Sequence, residues 1–451
     1  MNKQETMLWQ FDETSAPLPP LADMQDMSGT HKEMYMKLYR QLGPIFRISQ
    51  NGQTVTLLAG PEANVLVGRY GQEFLVSGEF WEDFGKAMGG EEGITLTKKR
   101  DGEVNRARRA RSSSHYSRGK VLDQIPLMVE MVREQMKTWQ EGESIPVLPQ
   151  MQRIVAEQLG QLLVHHEVGD YLQDFITVLD TAIANAMEHK NFQAFAEPAF
   201  IHAKQRTDEL ARSILAKRRA EGTADRKPDL LDHVLADAAE HPELYSEAEL
   251  EAACVVPFFA GIDTVAYTCC TMLYQLHKNP DVYRRIVAEV DEVFAQGSLD
   301  WEKLKGMQAI HGAALETLRT GKGQGTTNQK FRVVKPLTFA GYSLQMNAIV
   351  QLDADLAHNL PELFPEPDVF DIDRYHAPRN EHRQPGAFSP FGLGDHLCLG
   401  AGIAEIQLMA NMATILHTYQ IDIEMADGQP FSGFGLLSHG ISQLRMQVVA
   451  R

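Results

Sequence analysis

Residues 391–400 read FGLGDHLCLG, which sets Gly392, Gly394 and Gly400 around His396 and Cys398. A helical apolar pattern begins at about residue 401, so the cysteine stands just before a helix N-terminus, where backbone N–H groups have no intrahelical acceptor. Glycines there remove Cβ atoms from the loop, so the N–H groups can turn toward the sulfur and a flat group can approach it closely. Such a setting favours thiolate over thiol. An ordinary buried thiol in a glycine-rich loop is the alternative, and only the surrounding sequence separates the two.

Working outward, residues 401–418 read as a helix and the tail, with Gly428, Gly433, Gly435 and Gly440, as a hairpin. Upstream, 361–380 is a Pro-punctuated loop and 331–352 (FRVVKPLTFAGYSLQMNAIVQL) a set of short strands around Gly341. From about 120 to 320 the apolar spacing is mostly helical, broken at 220–229 (AEGTADRKPD). The most informative helix starts at Ser246, where Glu249 completes a capping box, and runs to Lys278 before Asn279-Pro280 opens another. At 1.5 Å per residue it would be roughly 48 Å long. It is nearly apolar all round from Ala252 to Ala260, so it should be central, and Pro257 should bend it. Ala260-Gly261-Ile262-Asp263-Thr264 then places an acid and a hydroxyl in this buried stretch. Near the start, residues 45–70 read as a hairpin about Asn51-Gly52.

The loop from Phe391 to Gly400 resembles the heme-binding signature of the cytochromes P-450, Phe-Gly-x-Gly-x-His-x-Cys-x-Gly, with every fixed position filled. Three further segments follow the family's order. Glu316-Thr317-Leu318-Arg319 resembles its Glu-x-x-Arg, whose spacing lets the two side chains meet on a helix. Alone, such a pair is usually a solvated helix face. Phe370-Asp371-Ile372-Asp373-Arg374-Tyr375 resembles the segment whose Arg374 would join them, and Ala260–Thr264 resembles the oxygen-activating stretch. The resemblance implies the mainly α P-450 fold with a small β region: a triangular prism, a long central helix over the heme and a Cys-ligand loop. Residues 1–30, with Pro17, Pro19 and Pro20, read as an extended leader, and the resemblance implies a single domain over 31–451.

By the same resemblance Cys398 ligates the iron of heme b, and a thiolate there favours O–O heterolysis. Asp263 would relay protons and Thr264 would hold the oxygen being cleaved, while Ala260 and Gly261 keep the helix low beside the porphyrin. The plainer reading has Thr264 bonding back to the carbonyl one turn earlier and Asp263 pairing with a base. His396, Arg109 and Arg332 are the candidates for the heme propionates. Asn105 stands where the family commonly has His, so a contact there would lack charge.

Substrate residues are less legible. Segment 320–330 (TGKGQGTTNQK) is polar where family members carry an apolar stretch. It is either a surface loop or a pocket wall in which Thr326, Thr327, Asn328 and Gln329 fix a polar group. Phe258, Phe259, the region of Phe80, Trp81 and Phe84, and Leu436-Leu437 are the apolar candidates, although either Phe258 or Phe259 taken singly is expected to be core. His165-His166-Glu167 is no metal site, because adjacent helical side chains diverge.

The chain has 451 residues and a formal charge of −17, which disfavours nucleic acid and anionic membrane surfaces as partners. Four cysteines in no paired spacing, and no signal or anchor in residues 1–30, point to a cytoplasmic protein. Between Lys98 and Lys120, however, nine bases face two acids. This stretch is either a solvated helix face or the docking surface of an acidic ferredoxin or flavodoxin, supplied in turn by its reductase. The expected activity is insertion of one atom of O₂ into an apolar small molecule, by hydroxylation or epoxidation, with electrons from a separate protein. A peroxide-driven peroxygenase or heme-thiolate isomerase, or a non-catalytic heme sensor, would have little use for Asp263 and Thr264.

Overall fold

The computed structural model describes residues 9–10, 16–22, 30–50, 53–77, 103–183, 192–222, 226–321, 328–425 and 443–451. In chain order the first elements are β1 (Trp9–Gln10), α1 (His31–Leu42), β2 (Ile45–Gln50), β3 (Gln53–Ala59), α2 (Pro61–Phe74) and β4 (Leu75–Val76). Helices α3 (Glu103–His115) and α4 (Ile125–Met136) precede β5 (Ser144–Pro146). Then come α5 (Val147–Leu159), α6 (Leu172–Ala182), α7 (Pro198–Glu221), α8 (Leu230–Glu240) and α9 (Glu247–Lys278). They are followed by α10 (Pro280–Ala295), α11 (Trp301–Gly306) and α12 (Gln308–Thr320). Strands β6 (Asn328–Val333), β7 (Leu337–Phe339), β8 (Tyr342–Leu344) and β9 (Ile349–Asp353) lead to α13 (Ala401–Thr418), β10 (Asp422–Met425) and β11 (Leu444–Gln447). Contacts divide the chain into two compact units, residues 1–80 with 318–398 and residues 81–317 with 399–451.

The first unit is built on a five-stranded sheet in the order β2-β3-β9-β6-β4. Strands β2 and β3 form an antiparallel hairpin with Ile45 opposite Leu58, and β3 runs parallel to β9. Both faces of the hairpin are covered: Ile45 and Leu58 join one apolar cluster with Val67, Phe74 and Val350, while Phe46 and Leu57 join another with Leu38 and Ile48. Burial on both faces explains the continuous apolar run of Leu57-Leu58-Ala59. The hairpin ends at Ala59, not Tyr70 as the sequence suggested. Pro61 sits at the start of α2, where a missing N–H leaves nothing unpaired, and Ala63, Leu66, Val67 and Phe74 bury one helical face. Residues 17–22 run along the sheets as a strap. Pro17 O accepts from Ser343 N (2.8 Å), Pro20 O from Arg47 N (2.7 Å), and Arg47 O from Ala22 N (2.8 Å). The Arg47 Nε donates to Pro19 O (2.7 Å).

The second unit is helical and centred on α9. Its capping box forms as the sequence predicts, with Ser246 N donating to Glu249 Oε2 (2.7 Å), and Pro257 lies inside the helix. Helix α9 packs against α5, α6, α7 and α13. It is the one helix among the described residues long and apolar enough to cross a membrane, and 67% of that window is buried inside the protein. Between α5 and α13 three buried amides satisfy one another. Gln158 Nε2 donates to Asn411 Oδ1 (2.6 Å), and Asn411 Nδ2 and Gln407 Nε2 both donate to Gln158 Oε1 (3.2 Å). Such a network fixes helix register, because any slip leaves an amide unpaired in the core. Strands β10, β11 and β5 complete this unit.

Candidate active site

The cysteine loop belongs to the first unit. It leaves Ser389, whose carbonyl accepts from Gly392 N (3.2 Å), and closes when Cys398 N donates to Phe391 O (2.8 Å). Gly392 and Gly394 have φ of 78° and 63°, and a Cβ on Gly394 would stand 3.0 Å from the Val67 carbonyl of α2. Only glycine adopts that backbone at so close an approach without strain. His396 follows in a short 3-10 turn against α2, and its Nε2 lies 2.8 Å from the hydroxyl of buried Ser77. Ser77 was invisible in the sequence, because nothing near it carries a motif. Gly400, the last position of the signature, is the N-cap of α13.

Cys398 is exposed, whereas Cys254, Cys269 and Cys270 are buried in α9. Burial pushes the Cys254 and Cys269 thiols up to about 12 and Cys270 well above its ordinary value, so none of the three can supply a thiolate near neutral pH. The donor set therefore fits a thiolate-ligated heme at one position only. His396 and Arg332 lie in the same unit. Arg332 is half-buried on β6, and its guanidinium donates to Asn347 O (3.0 Å). Beside them, Gln329 directs its amide at Gly392, whose added Cβ would meet Nε2 at 3.3 Å, and its buried Oε1 has no hydrogen-bond partner. Arg109 is half-buried on α3; the Asn105 side chain lies outside the described residues.

The two motif arginines converge on one turn. Arg319 donates to Pro367 O and His358 O (both 2.7 Å), while Arg374 donates to the Pro365, Glu366 (2.7 Å) and Val369 (3.2 Å) carbonyls and to Glu381 Oε2 (3.0 Å). Both are buried, as is Glu316 one turn before Arg319 on α12. Glu381 also pairs with Arg379. His358 is held near 3 by burial and then by Arg319, so it stays neutral and its Nε2 accepts from Ser389 N (2.9 Å) at the root of the cysteine loop. Glu381 and His358 were missed from the sequence, where each looks like one polar residue among many.

In the second unit α9 carries Asp263, 1% exposed, whose Oδ1 accepts from Gln152 Nε2 of α5 (2.8 Å). Burial raises its pKa against the opposing pull of that amide. The partner is thus an amide and not the base considered above. Thr264 Oγ1 donates to Ala260 O (2.8 Å) and Gly261 O (3.3 Å), the back-bonded geometry. Ala260 is exposed on the same face. A Cβ on Gly261 would meet Leu159 Cδ1 at 2.7 Å, so its smallness serves the α5–α9 packing.

Phe258 and Phe259 are buried against Phe175 of α6, with ring centroids 4.9 and 4.8 Å apart. They are core, packed where α6 meets α9. Thr326, Thr327, Leu436, Leu437, Phe80, Trp81 and Phe84 lie outside the described residues. Part of the basic stretch is engaged within its own unit: Arg108 pairs with Glu249, Arg111 with Asp237 (2.7 Å) and Arg118 with Glu405 (2.9 Å), and Lys120 Nζ lies 3.2 Å from His233 Nε2. Acids remote in sequence offset much of its charge. Residues 98–102 lie outside the described set.

A family model described as Cytochrome P450 matches residues 16–443. Putative cytochrome P450 139 of Mycobacterium bovis is 25% identical over 396 residues, covering 85% of this chain and 89% of that one. A cyclooctat-9-en-7-ol 5-monooxygenase of Streptomyces melanosporofaciens is 30% identical over 223 residues, 49% of this chain and 47% of that one. A sterol 14alpha-demethylase of Mycolicibacterium vanbaalenii is 28% identical over 224 residues, 48% of each chain. Among solved structures, retinoic acid bound cyanobacterial CYP120A1 superposes with a TM-score of 0.78 at 21% identity, covering 97% of this chain and 100% of that one. That likeness establishes the fold.

Proposed function

The chain belongs to the cytochrome P450 family and is a heme-dependent monooxygenase; from that premise we propose that Cys398 would hold the iron of a heme b. In this reading one atom of O₂ enters a mostly apolar small molecule by hydroxylation or epoxidation. The observation that supports it is the contrast among the cysteines, one exposed on a glycine-shaped loop and three buried with raised pKa values. When bound, a thiolate-ligated heme supplies the reductive activation of dioxygen. The chain's own side chains supply protons and orientation. Asp263, biased toward its neutral form by burial, donates protons, and the Gln152 amide holds its carboxyl in one direction. Thr264 commits its own proton to Ala260 O, so its oxygen offers lone pairs to a donor in the site. His396, Arg332 and Arg109 hold the propionates, with Ser77 orienting the imidazole.

Gln329, with its unpartnered buried oxygen, supports a substrate carrying one polar group. The words sterol, cyclooctat-9-en-7-ol and retinoic acid in the relatives' names agree with an apolar molecule bearing an oxygen function. Electrons would come from a ferredoxin or flavodoxin with its reductase, docking on segment 98–120 in the cytoplasm. A carbon monoxide difference spectrum of the heme-loaded protein tests the ligand: the thiolate-type band is expected, and an imidazole-type band would reject Cys398. Steady NADPH-driven product formation with a surrogate reductase and ferredoxin is expected, whereas activity with peroxide alone would reject the monooxygenase cycle.

A further inference from the structure

The cysteine loop begins at Ser389, and the main chain of Ser389 is held by a buried imidazole. His358, 1% exposed, lies in the 3-10 turn Ala354–Asn359 that follows β9, and its Nε2 accepts from Ser389 N (2.9 Å). A ring nitrogen that accepts from a backbone N–H carries no proton, so the proton of His358 sits on Nδ1. Nδ1 lies 3.4 Å from Asp355 Oδ1, three residues earlier in the same turn. From α12, Arg319 donates to the His358 carbonyl (2.7 Å), and burial together with this guanidinium keeps the ring neutral. The ring packs against Phe388, which precedes Ser389 (centroids 5.3 Å apart), and against the edge of Phe364 (6.4 Å). The Arg319 guanidinium stands over that same Phe364 ring at 5.3 Å.

A short chain of hydrogen bonds runs from this ring to the sulfur-bearing residue. His358 Nε2 holds Ser389 N, Ser389 O accepts from Gly392 N (3.2 Å), and Phe391 O accepts from Cys398 N (2.8 Å). Ser389 is 4% exposed, so water cannot readily replace the imidazole as acceptor. The serine hydroxyl is held more loosely: Asn64 Nδ2 of α2 donates to it at 3.4 Å, and it lies 3.5 Å from Ala354 O. Neither contact reaches the main chain. A neutral imidazole suits the task better than a carboxylate, because it accepts from the N–H without bringing a second charge beside the sulfur.

We propose that His358 is a positioning residue for Cys398: it ties the cysteine loop to Arg319, and Asp355 keeps its accepting nitrogen turned toward Ser389. The motif arginine and the cysteine loop then move as one piece. Without the imidazole the Ser389 N–H is left buried and unpaired, the root of the loop opens, and the backbone that favours the thiolate loses its shape. The proposal rests on the reading of Cys398 as the heme ligand.

Hydrogen exchange of the heme-loaded protein, read by peptide, tests the anchor. His358→Leu should accelerate exchange across residues 389–398 by about 10- to 100-fold, while β3 of the same unit exchanges as before. In His358→Gln the side-chain amide oxygen can accept the same N–H, and exchange should return close to the parent rate. Equal acceleration in β3, or no rescue by Gln, would make His358 an ordinary core residue and overturn the proposal. The carbon monoxide band tests the effect on the ligand. In dilute denaturant the thiolate-type band should convert to the thiol type about 10- to 100-fold faster in His358→Leu, with rescue in His358→Gln. A band as durable in His358→Leu as in the parent rejects the proposal alone, whereas a parent without the thiolate-type band ends the reading of Cys398 and the proposal with it. The parent protein supplies a check that needs no stable Leu variant: nitrogen-15 resonance of its ferrous, carbon monoxide-bound form should show His358 Nε2 unprotonated from about pH 5 to pH 9. A protonated or titrating Nε2 would overturn the assigned acceptor.

Discussion

The cysteine loop and the acid–alcohol stretch of α9 solve opposite problems. In the loop the backbone is unusual and the functional side chain is exposed: Gly392 and Gly394 take positive φ, and Cys398 points outward. In α9 the backbone is ordinary helix, and what sets Asp263 apart is its surroundings, the Gln152 amide and the apolar seam. An unusual backbone demands particular residues in consecutive positions, so it leaves a dense mark in the sequence. A tuned environment is assembled from helices far apart in the chain, so it leaves almost none.

The sharpest way to break this comparison is to remove the exposed side chain. Cys398→Ala should abolish the thiolate-type carbon monoxide band and NADPH-driven turnover altogether. In the heme-free protein its folding stability should change by no more than about 0.5 kcal/mol, as at other exposed positions. A large loss of stability would mean that the sulfur also holds the loop. Next in size is Arg374→Met, which strands three carbonyls and leaves Glu381 to Arg379 alone; about 3–5 kcal/mol should be lost, read as a lower denaturant midpoint at unchanged slope. Asp263→Asn should slow product formation roughly 100-fold, or about 2.7 kcal/mol of barrier. Its melting temperature should hold, because a neutral amide suits the buried site.

Gly261→Ala probes the packing of α9 directly. Its Cβ would stand 2.7 Å from Leu159 Cδ1, so a cost of about 1–3 kcal/mol is expected. Combined with Leu159→Ala, the added methyl should cost much less, and strict additivity would show that the two do not meet. The smallest effect is a pH dependence. The folded pKa of Asp180, about 6, lies above its unfolded value, so its contribution to stability is full at low pH and is lost as pH rises through 6. Asp180→Asn removes that loss, and its melting temperature relative to the parent protein should therefore rise between pH 4 and pH 7. The exposure of Asp180 keeps the change small, and a gap that narrows instead would reverse the sign assigned here.

Much of the architecture could be read from local rules. The capping box at Ser246 and Glu249, the restart at Asn279-Pro280 and the helix after Gly400 all appear where short-range chemistry put them. The hairpin at Ile45 was legible too, but its end was not, because the apolar run through Ala59 and Leu66 changes period from strand to helix at a single glycine. Cys398, Arg319 and Arg374 were singled out because the motifs that carry them are local in sequence. Gln152, Ser77 and His358 were not, since their partners lie dozens to hundreds of residues away, and Glu381 was not, since nothing local marks it as the partner of Arg374. Gly261 was singled out from the motif, whereas its contact with Leu159 of α5 was not legible.

The strap of residues 17–22 has a consequence for behaviour in concentrated solution. Strand β2 is an outer strand of its sheet, and an uncovered outer strand offers hydrogen-bonding groups to any other chain that arrives in extended form. Here that position is taken by Pro19, Pro20, Leu21 and Ala22, two of which have no N–H to donate onward. The sheet thus ends in residues that cannot template a further strand. Shortening the protein past Ala22 would expose the Arg47 N–H and carbonyl, and self-association would be its first symptom, ahead of any change at the cysteine loop.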